Sequence, residues 1–295
     1  MLLLRFLLAA LASNIGLALT PVGNRPSGGQ IFVAPHGSRA KQVDHNMEIF
    51  APNGTLIHTF VDVMPGSASA TKERRSLLAA RQSLSATQAS TTVIADPANV
   101  IEAFNTSFTV PALPKTFESQ IIYLSATVVA SNQGVEFAWY RCVLQYGANA
   151  FWGGPFWTMS TELELGPDGS LLVVVGEDFN PRVEVGATIQ TSILHKDEGD
   201  DIFWYEATFN DQPTALEVGW HTPVSKVLIG LEEEGVTQPS EYPPEPFTFK
   251  DTNLTMTRGA PEVAWDVPSD STTGAYVTVD VDGAVNAELT VHFLN

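Results

Sequence analysis

A single glutamine, Gln145, stands in the apolar run Cys142-Val143-Leu144-Gln145-Tyr146-Gly147, and that run is set among rings. Trp139, Tyr140, Tyr146, Phe151, Trp152, Phe156 and Trp157 fall within nineteen residues. One amide among that many aromatic side chains is the composition of a pocket wall, where a polar group orients a ligand otherwise held by apolar contact. The same residues also read as a core strand followed by a glycine-rich turn, and composition does not separate the two.

The rest of the chain offers little conventional chemistry. There is no phosphate-binding glycine loop and no dinucleotide fingerprint, and no Gly-x-Ser-x-Gly nucleophile elbow. His36, His45, His58, His195, His221 and His292 are scattered, with no pair at metal-ligand spacing. Neither a metal nor a cofactor is therefore expected. Asp197-Glu198-Gly199-Asp200-Asp201 has carboxylates for calcium but lacks the full ligand spacing, and reads as an acidic hairpin tip. Cys142 is the only cysteine, which forbids an intramolecular disulfide. It reads as a small buried hydrophobe, since no histidine lies near it in sequence.

The elements that must position these residues are strands. From Ile94 onward, branched and aromatic runs recur at short intervals with Gly, Pro, Asn or Asp between them. They cover residues 103–110, 119–129, 137–146, 162–165, 171–175, 187–194, 202–209, 215–220, 227–232, 248–256, 276–281 and 288–293. Gly166-Pro167-Asp168-Gly169 has the composition of a hairpin turn. This spacing predicts an all-β sandwich or barrel, and about two hundred residues suffice for one core of that kind.

Upstream, residues 21–70 carry turn chemistry between short apolar runs, Ile31 to Val33 and Leu56 to Val61, and read as a small hairpin-like element. Residues 66–95 read as linker, with helix propensity only from Arg74 to Leu84. The expected organisation is thus a leader over 1–20, an N-terminal segment and linker over 21–95, and a sandwich over 96–295. The leader has one positive charge, Arg5, an apolar stretch Phe6–Ala12 and small residues near Ala18, the pattern of a secretory signal peptide. Three sequons, at Asn53, Asn105 and Asn253, agree with that route and are the expected glycosylation sites. The dibasic Arg74-Arg75 reads either as a processing site releasing a basic pro-segment or as an exposed linker that is never cut.

Charge excludes some partners. Of 15 basic and 33 acidic residues, 8 basic and 29 acidic lie beyond residue 75. Nucleic acid and anionic membrane surfaces would be repelled by such a body. After signal removal no further segment is apolar and long enough for a membrane helix.

Several segments together resemble the eqolisin glutamic peptidases and their fungal relatives. In order, these are Ser107-Phe108-Thr109-Val110-Pro111, Val143-Leu144-Gln145-Tyr146-Gly147, Val183 to Ile189, Leu231-Glu232-Glu233-Glu234-Gly235, Phe247-Thr248-Phe249, and Leu289-Thr290-Val291-His292-Phe293. The resemblance covers about residues 100–295 and rests on order and spacing. It implies a concanavalin-like antiparallel sandwich with one sheet curved into a concave cleft. It also implies a glutamine and a glutamate facing each other across that cleft. Gln145 matches the glutamine and Glu232 the glutamate, with Glu217 as the alternative. A protonated carboxyl donating to a carbonyl while the amide holds a water would then give acid peptidase chemistry. The chain departs from the family in Tyr146, where the peptidases have threonine, and in Val227 to Leu231, where they have an acidic residue and a tryptophan. The run Ala150 to Trp157 is also unusually apolar, which suits a flat or polyene ligand better than a peptide.

The whole profile resembles, further, the fungal hetero-Diels–Alderases of tropolone–sesquiterpene pathways. Those are cofactor-free proteins joining a quinone methide to a cyclic terpene such as humulene. That resemblance implies Gln145, Tyr146 or Arg141 polarising the heterodiene carbonyl, and Trp139, Trp152, Trp157 and Trp204 shaping the terpene site. Three readings follow: a cyclase of the cycloaddition type acting on an apolar small molecule, a glutamic peptidase, and a non-catalytic carbohydrate-binding sandwich with tryptophans stacked on sugars. The first is preferred.

Overall fold

The protein is described by a computed structural model covering residues 18–26, 28–64, 84–132, 134–148, 153–166, 171–175, 182–199, 201–210, 216–268 and 274–294. The signal segment, the dibasic Arg74-Arg75, Trp152 and the turn at 167–170 lie outside the described residues, save positions 18–20 of the first.

Two sheets make up the molecule, and among the described residues there is no α-helix. The nine-stranded sheet takes β1 (Pro21–Asn24), β2 (Gln30–Ala34), β6 (Leu84–Thr92), β8 (Ile121–Asn132), β9 (Val135–Tyr146), β10 (Trp157–Leu165), β11 (Leu171–Val175), β12 (Arg182–Val183) and β16 (Lys226–Glu234). Its order is β1-β2-β11-β10-β9-β8-β16-β6, with β12 on β10. The ten-stranded sheet takes β3 (Ser38–Val43), β4 (Asn46–Phe50), β5 (Leu56–Phe60), β7 (Ile101–Thr109), β13 (Thr188–Lys196), β14 (Phe203–Phe209), β15 (Leu216–Trp220), β17 (Phe247–Met256), β18 (Ala275–Val281) and β19 (Ala287–Phe293). Its order is β18-β19-β17-β7-β13-β14-β15-β3-β4-β5.

Alternation along each strand decides which side chains meet. On β9, Tyr140, Cys142 and Leu144 point to the ten-stranded sheet and join one core with Leu124, Val128, Phe104, Ile193 and Ala207. Tyr140 ties the layers together: its hydroxyl donates to the Leu216 carbonyl and accepts from the Ala207 amide at 2.8 Å. The thiol of Cys142 lies in this core, 3.9 Å from the Ser192 and Thr208 carbonyls, and burial pushes its pKa up. It behaves as the expected small hydrophobe.

The β-sandwich is as expected, and the strand runs past residue 100 fall on β7 to β11 and β13 to β19. Two differences concern the N-terminal part. Residues 21–95 contribute six strands, three to each sheet, instead of standing apart as a hairpin and linker. The runs around Ile31 and Leu56 lie in opposite sheets, with the rings of Phe32 and Phe60 meeting edge to face at 4.8 Å between them. Second, β2 runs parallel to β11 and β3 parallel to β15, so the sheets are mixed where the expectation was antiparallel throughout. Parallel pairing joins segments distant in sequence, here about 140 and 180 residues apart, and leaves no local turn signal. The sequence of β6 reads as linker because Leu84–Thr92 is polar and rich in Ser, Thr and Ala. Thr87, Ala89 and Thr91 are nonetheless its buried alternate positions.

The nine-stranded sheet curls over its outer face. Arg25 follows β1 at one edge, yet its guanidinium reaches Glu234 on β16 at 2.8 Å, six strands away. In a flat sheet those strands would be about 29 Å apart at about 4.8 Å per step. An arginine side chain covers only a fraction of that, so the outer face is concave.

Candidate functional site

The concave face is built from the alternate residues that do not enter the core. Cross-strand register aligns Glu232 (β16), Tyr123 (β8), Gln145 (β9) and Thr158 (β10) in one row, and Leu228, Thr127, Arg141 and Glu162 in another. The same face holds two buried apolar groups, Ile31 with Leu172 and Val174 and Ile121 with Tyr123 and Val143, and a buried ionic cluster.

Its centre is Arg141, 1 % exposed. The guanidinium contacts Glu162 at 2.8 Å, Glu164 at 3.1 Å and Glu232 at 2.6 Å. Arg25, reaching in from the far edge, contacts Glu234 at 2.8 Å and Glu164 at 3.1 Å, and stands 4.0 Å from Glu232. The two guanidinium carbons lie 5.2 Å (Arg25) and 5.7 Å (Arg141) from the centre of the Tyr123 ring. Among the described residues four carboxylates therefore face two guanidiniums, a formal excess of two negative charges. Burial disfavours the charge on Arg25 and Arg141, but Tyr123 with the carboxylates around Arg25, and the carboxylates around Arg141, outweigh that and hold both well above the usual arginine range. Burial likewise pushes the Glu232 carboxyl up. The charges of Arg141 and Arg25, and hydrogen bonds from Arg141 and from the Gln88 amide at 3.0 Å, more than offset it and hold Glu232 below the usual carboxylate range.

Gln145 is fully buried, and its amide nitrogen donates to the Gly147 carbonyl at 2.9 Å. The chain turns tightly there. Gly147 and Gly153 have φ of +96° and +103°, and a Cβ on Gly153 would lie 2.1 Å from the Gly147 oxygen and 2.9 Å from the Gln145 amide nitrogen. Of the two readings that composition leaves open, the enclosed core strand is the one observed: the amide lies against backbone and not in an indole-lined hollow.

Of the sequence-predicted residues, Gln145, Glu232, Arg141 and Trp139 share the concave face. Tyr146 and Trp157 do not. They face the inter-sheet core, their rings 5.3 Å apart, because their strand positions have the opposite parity. Trp204 belongs to the other sheet, where the guanidinium of Arg39 covers it at 3.8 Å. Glu217 is in that sheet too, paired with Arg39 at 2.9 Å and Lys196 at 2.7 Å, so it cannot oppose Gln145. In the acidic loop, Glu198 is bound by Arg39 at 2.6 Å, and no group of side chains suited to a metal occurs among the described residues. Asn53 lies on an exposed turn. Asn105 is half-buried in mid-strand, and the Asn253 amide is bonded at both ends, to the Asp251 carbonyl at 2.6 Å and the Asn286 amide at 3.0 Å.

Arg25, Tyr123, Glu162, Glu164, Glu234 and Gln88 were missed. A signal existed for the acids: Glu162 and Glu164, like Glu232 and Glu234, recur with period two inside strands whose alternate residues are mostly apolar, a pattern that buries carboxylates and demands buried cations. Arg25 had none, lying over a hundred residues before the strands it serves.

No protein-family model matches the chain, and no curated protein sequence does. Solved structures that it resembles include scytalido-glutamic peptidase with a transition-state analogue inhibitor, at 10 % identity over 71 % of this chain and 98 % of that one, TM-score 0.42. Another is SCP-B, a member of the eqolisin family of peptidases in complex with the tripeptide Ala-Ile-His, at 8 % identity over 72 % and 98 %, TM-score 0.40. At that distance the likeness carries no argument about activity, and the sandwich rests on the strand pairing described above.

Proposed function

We propose that this chain is a cofactor-free small-molecule cyclase of the hetero-Diels–Alder type, with its active site on the concave face of the nine-stranded sheet. Its reaction joins a quinone-methide heterodiene to a sesquiterpene such as humulene. A carbon–carbon and a carbon–oxygen bond form, the π electrons shift into the ring, and nothing leaves. Such a reaction asks for two apolar partners in register, exclusion of water, and hydrogen-bond donors on the heterodiene oxygen. The observation that carries the reading is the electrostatic state of the cluster. Arg141 is fixed as a buried permanent cation beside apolar patches, while the carboxyl and amide that a peptidase would use are committed, Glu232 to Arg141 and Gln88 and Gln145 to the Gly147 carbonyl. Passage through the secretory pathway, with a glycan on Asn53, is part of the same proposal.

The test is incubation of the full chain with a quinone methide released in situ and humulene, followed by chiral chromatography. An adduct of the summed mass, formed faster than background with one enantiomer in excess, is expected. A racemic adduct at the background rate refutes the reading. Glutamic peptidase is the second reading, favoured by the single row that holds Gln145 and Glu232 on either side of Tyr123. It requires cleavage of denatured protein in acid, lost in Glu232→Gln. Sugar stacking has less support, since Trp157, Trp204, Trp220 and Trp265 are all at most 7 % exposed.

A further inference from the structure

Two donors in the cluster are unspent. The hydroxyl of Tyr123, a residue with no exposed surface, has no hydrogen-bond partner among the described residues, and neither does Nη2 of Arg25, a residue 3 % exposed. The Glu232 carboxylate stands 4.0 Å from that nitrogen, too far for a hydrogen bond. Arg141 differs: its Nη2 lies at 2.8 and 3.1 Å from Glu162 and Glu164, charges in contact though not aligned as hydrogen bonds. Burial keeps the Tyr123 hydroxyl protonated and therefore a donor. Buried donors are rarely left unpaired, and these two lie together, the Arg25 guanidinium carbon 5.2 Å from the centre of the Tyr123 ring.

We infer that Tyr123 Oη and Arg25 Nη2 together bind one neutral carbonyl oxygen of the ligand, and that the site rejects carboxylates. The chemistry of the acceptor follows from charge. A cation cannot satisfy a guanidinium N–H. An anion could, but it would enter among Glu162, Glu164, Glu232 and Glu234, which already outnumber the two arginines. A ketone oxygen has two lone pairs and no charge, and accepts from both donors at once. The two apolar groups of this face, Ile121 with Val143 and Ile31 with Leu172, take the apolar remainder of the molecule. One consequence is that the N-terminal strands belong to the binding unit, because Arg25 enters it from the β1–β2 turn. The inference rests on the reading of this face as the active site and adds the chemical class it accepts.

Equilibrium binding tests it apart from turnover. Tryptophan fluorescence or calorimetry at pH 7 would compare 1-tetralone, 1-naphthoate and naphthalene, which share a bicyclic body and differ in the polar group. The ketone is expected to bind at least tenfold more tightly than either of the others. Tyr123→Phe removes only the unpaired hydroxyl and should bring the ketone to within about threefold of naphthalene, with unchanged circular dichroism. Tighter or equal binding of naphthoate, an unaltered ketone preference in Tyr123→Phe, or no ketone binding up to millimolar concentration would each overturn the inference. Adduct formation without ketone selectivity would sink this inference alone, and ketone selectivity without adduct would sink only the cyclase.

Discussion

Replacing Arg141 by methionine removes the cation that faces three carboxylates while keeping the unbranched bulk of the side chain. Arg141 is 1 % exposed, and Glu162, Glu164 and Glu232 have side-chain exposures of 0, 5 and 12 %. Breaking a buried ion pair from one side leaves uncompensated charge and typically costs about 3–5 kcal/mol. Here one partner is lost to three acids, and Arg25 remains to share Glu164, so the upper part of that range is expected at pH 7. The pH dependence discriminates the cause. In the native protein the Glu232 pKa is depressed, so its contribution is present above the ordinary value of 4.5 and fades as pH falls through the folded value. Without Arg141 its folded pKa rises, the carboxyl protonates more readily, and the deficit of the variant narrows in acid. Urea unfolding at pH 7 and pH 4 measures both. A deficit below about 1 kcal/mol at pH 7, or an equal deficit at both values, would show that Arg141 acts through packing and not through charge.

Glu233, one residue along but facing the core, has the opposite behaviour: burial raises its carboxyl to about 7, against a hydrogen bond from the Tyr242 hydroxyl at 2.5 Å. Its protonated form is the one the fold prefers, so stability should decline as pH rises from 4.5 to 7, by up to about 3 kcal/mol, and Glu233→Gln should flatten that part of the thermal-stability profile. At Gly147, φ is +96° and an added Cβ would lie 2.1 Å from the Gln120 carbonyl oxygen, so Gly147→Ala should cost roughly 2–4 kcal/mol in denaturant unfolding, with a loss under about 1 kcal/mol counting against the described turn.

What was legible in the sequence was what alternation writes into a single strand. β9 reads directly from Phe137 to Tyr146 and β8 over most of its length, because each carries its own burial pattern, whereas only the end of β10, from Glu162 to Leu165 beside its turn signal, was legible. The parity of those strands was equally available. Counting by twos from Arg141 places Trp139 and Gln145 with it and sends Tyr146 to the far side, yet aromatic crowding drew attention to both. Illegible was everything that depends on which strands become neighbours across long loops. The parallel joins of β2 to β11 and β3 to β15 bring residues 30–34 and 38–41 to strands that follow by more than a hundred positions. No periodicity in a single sequence encodes such a partner.

That same non-local pairing bears on how the N-terminal segment relates to the site. Read in one dimension, a basic stretch ahead of an acidic body has the look of a removable piece. In three dimensions one of its charges, Arg25, is 3 % exposed and lies against Glu164, Glu232 and Glu234, whose negative charge it shares with Arg141 in offsetting. Charge complementarity between the two parts is therefore a property of the folded site itself. Cleavage at Arg74-Arg75 need not release the first five strands, since β2 and β3 are held by main-chain hydrogen bonds to β11 and β15 and Phe32 is packed in the core. A nicked protein would be expected to keep both pieces together through gel filtration and to separate them only in denaturant. Loss of the N-terminal piece under native conditions, with the rest still folded, would mean that Arg25 is dispensable to the cluster it completes.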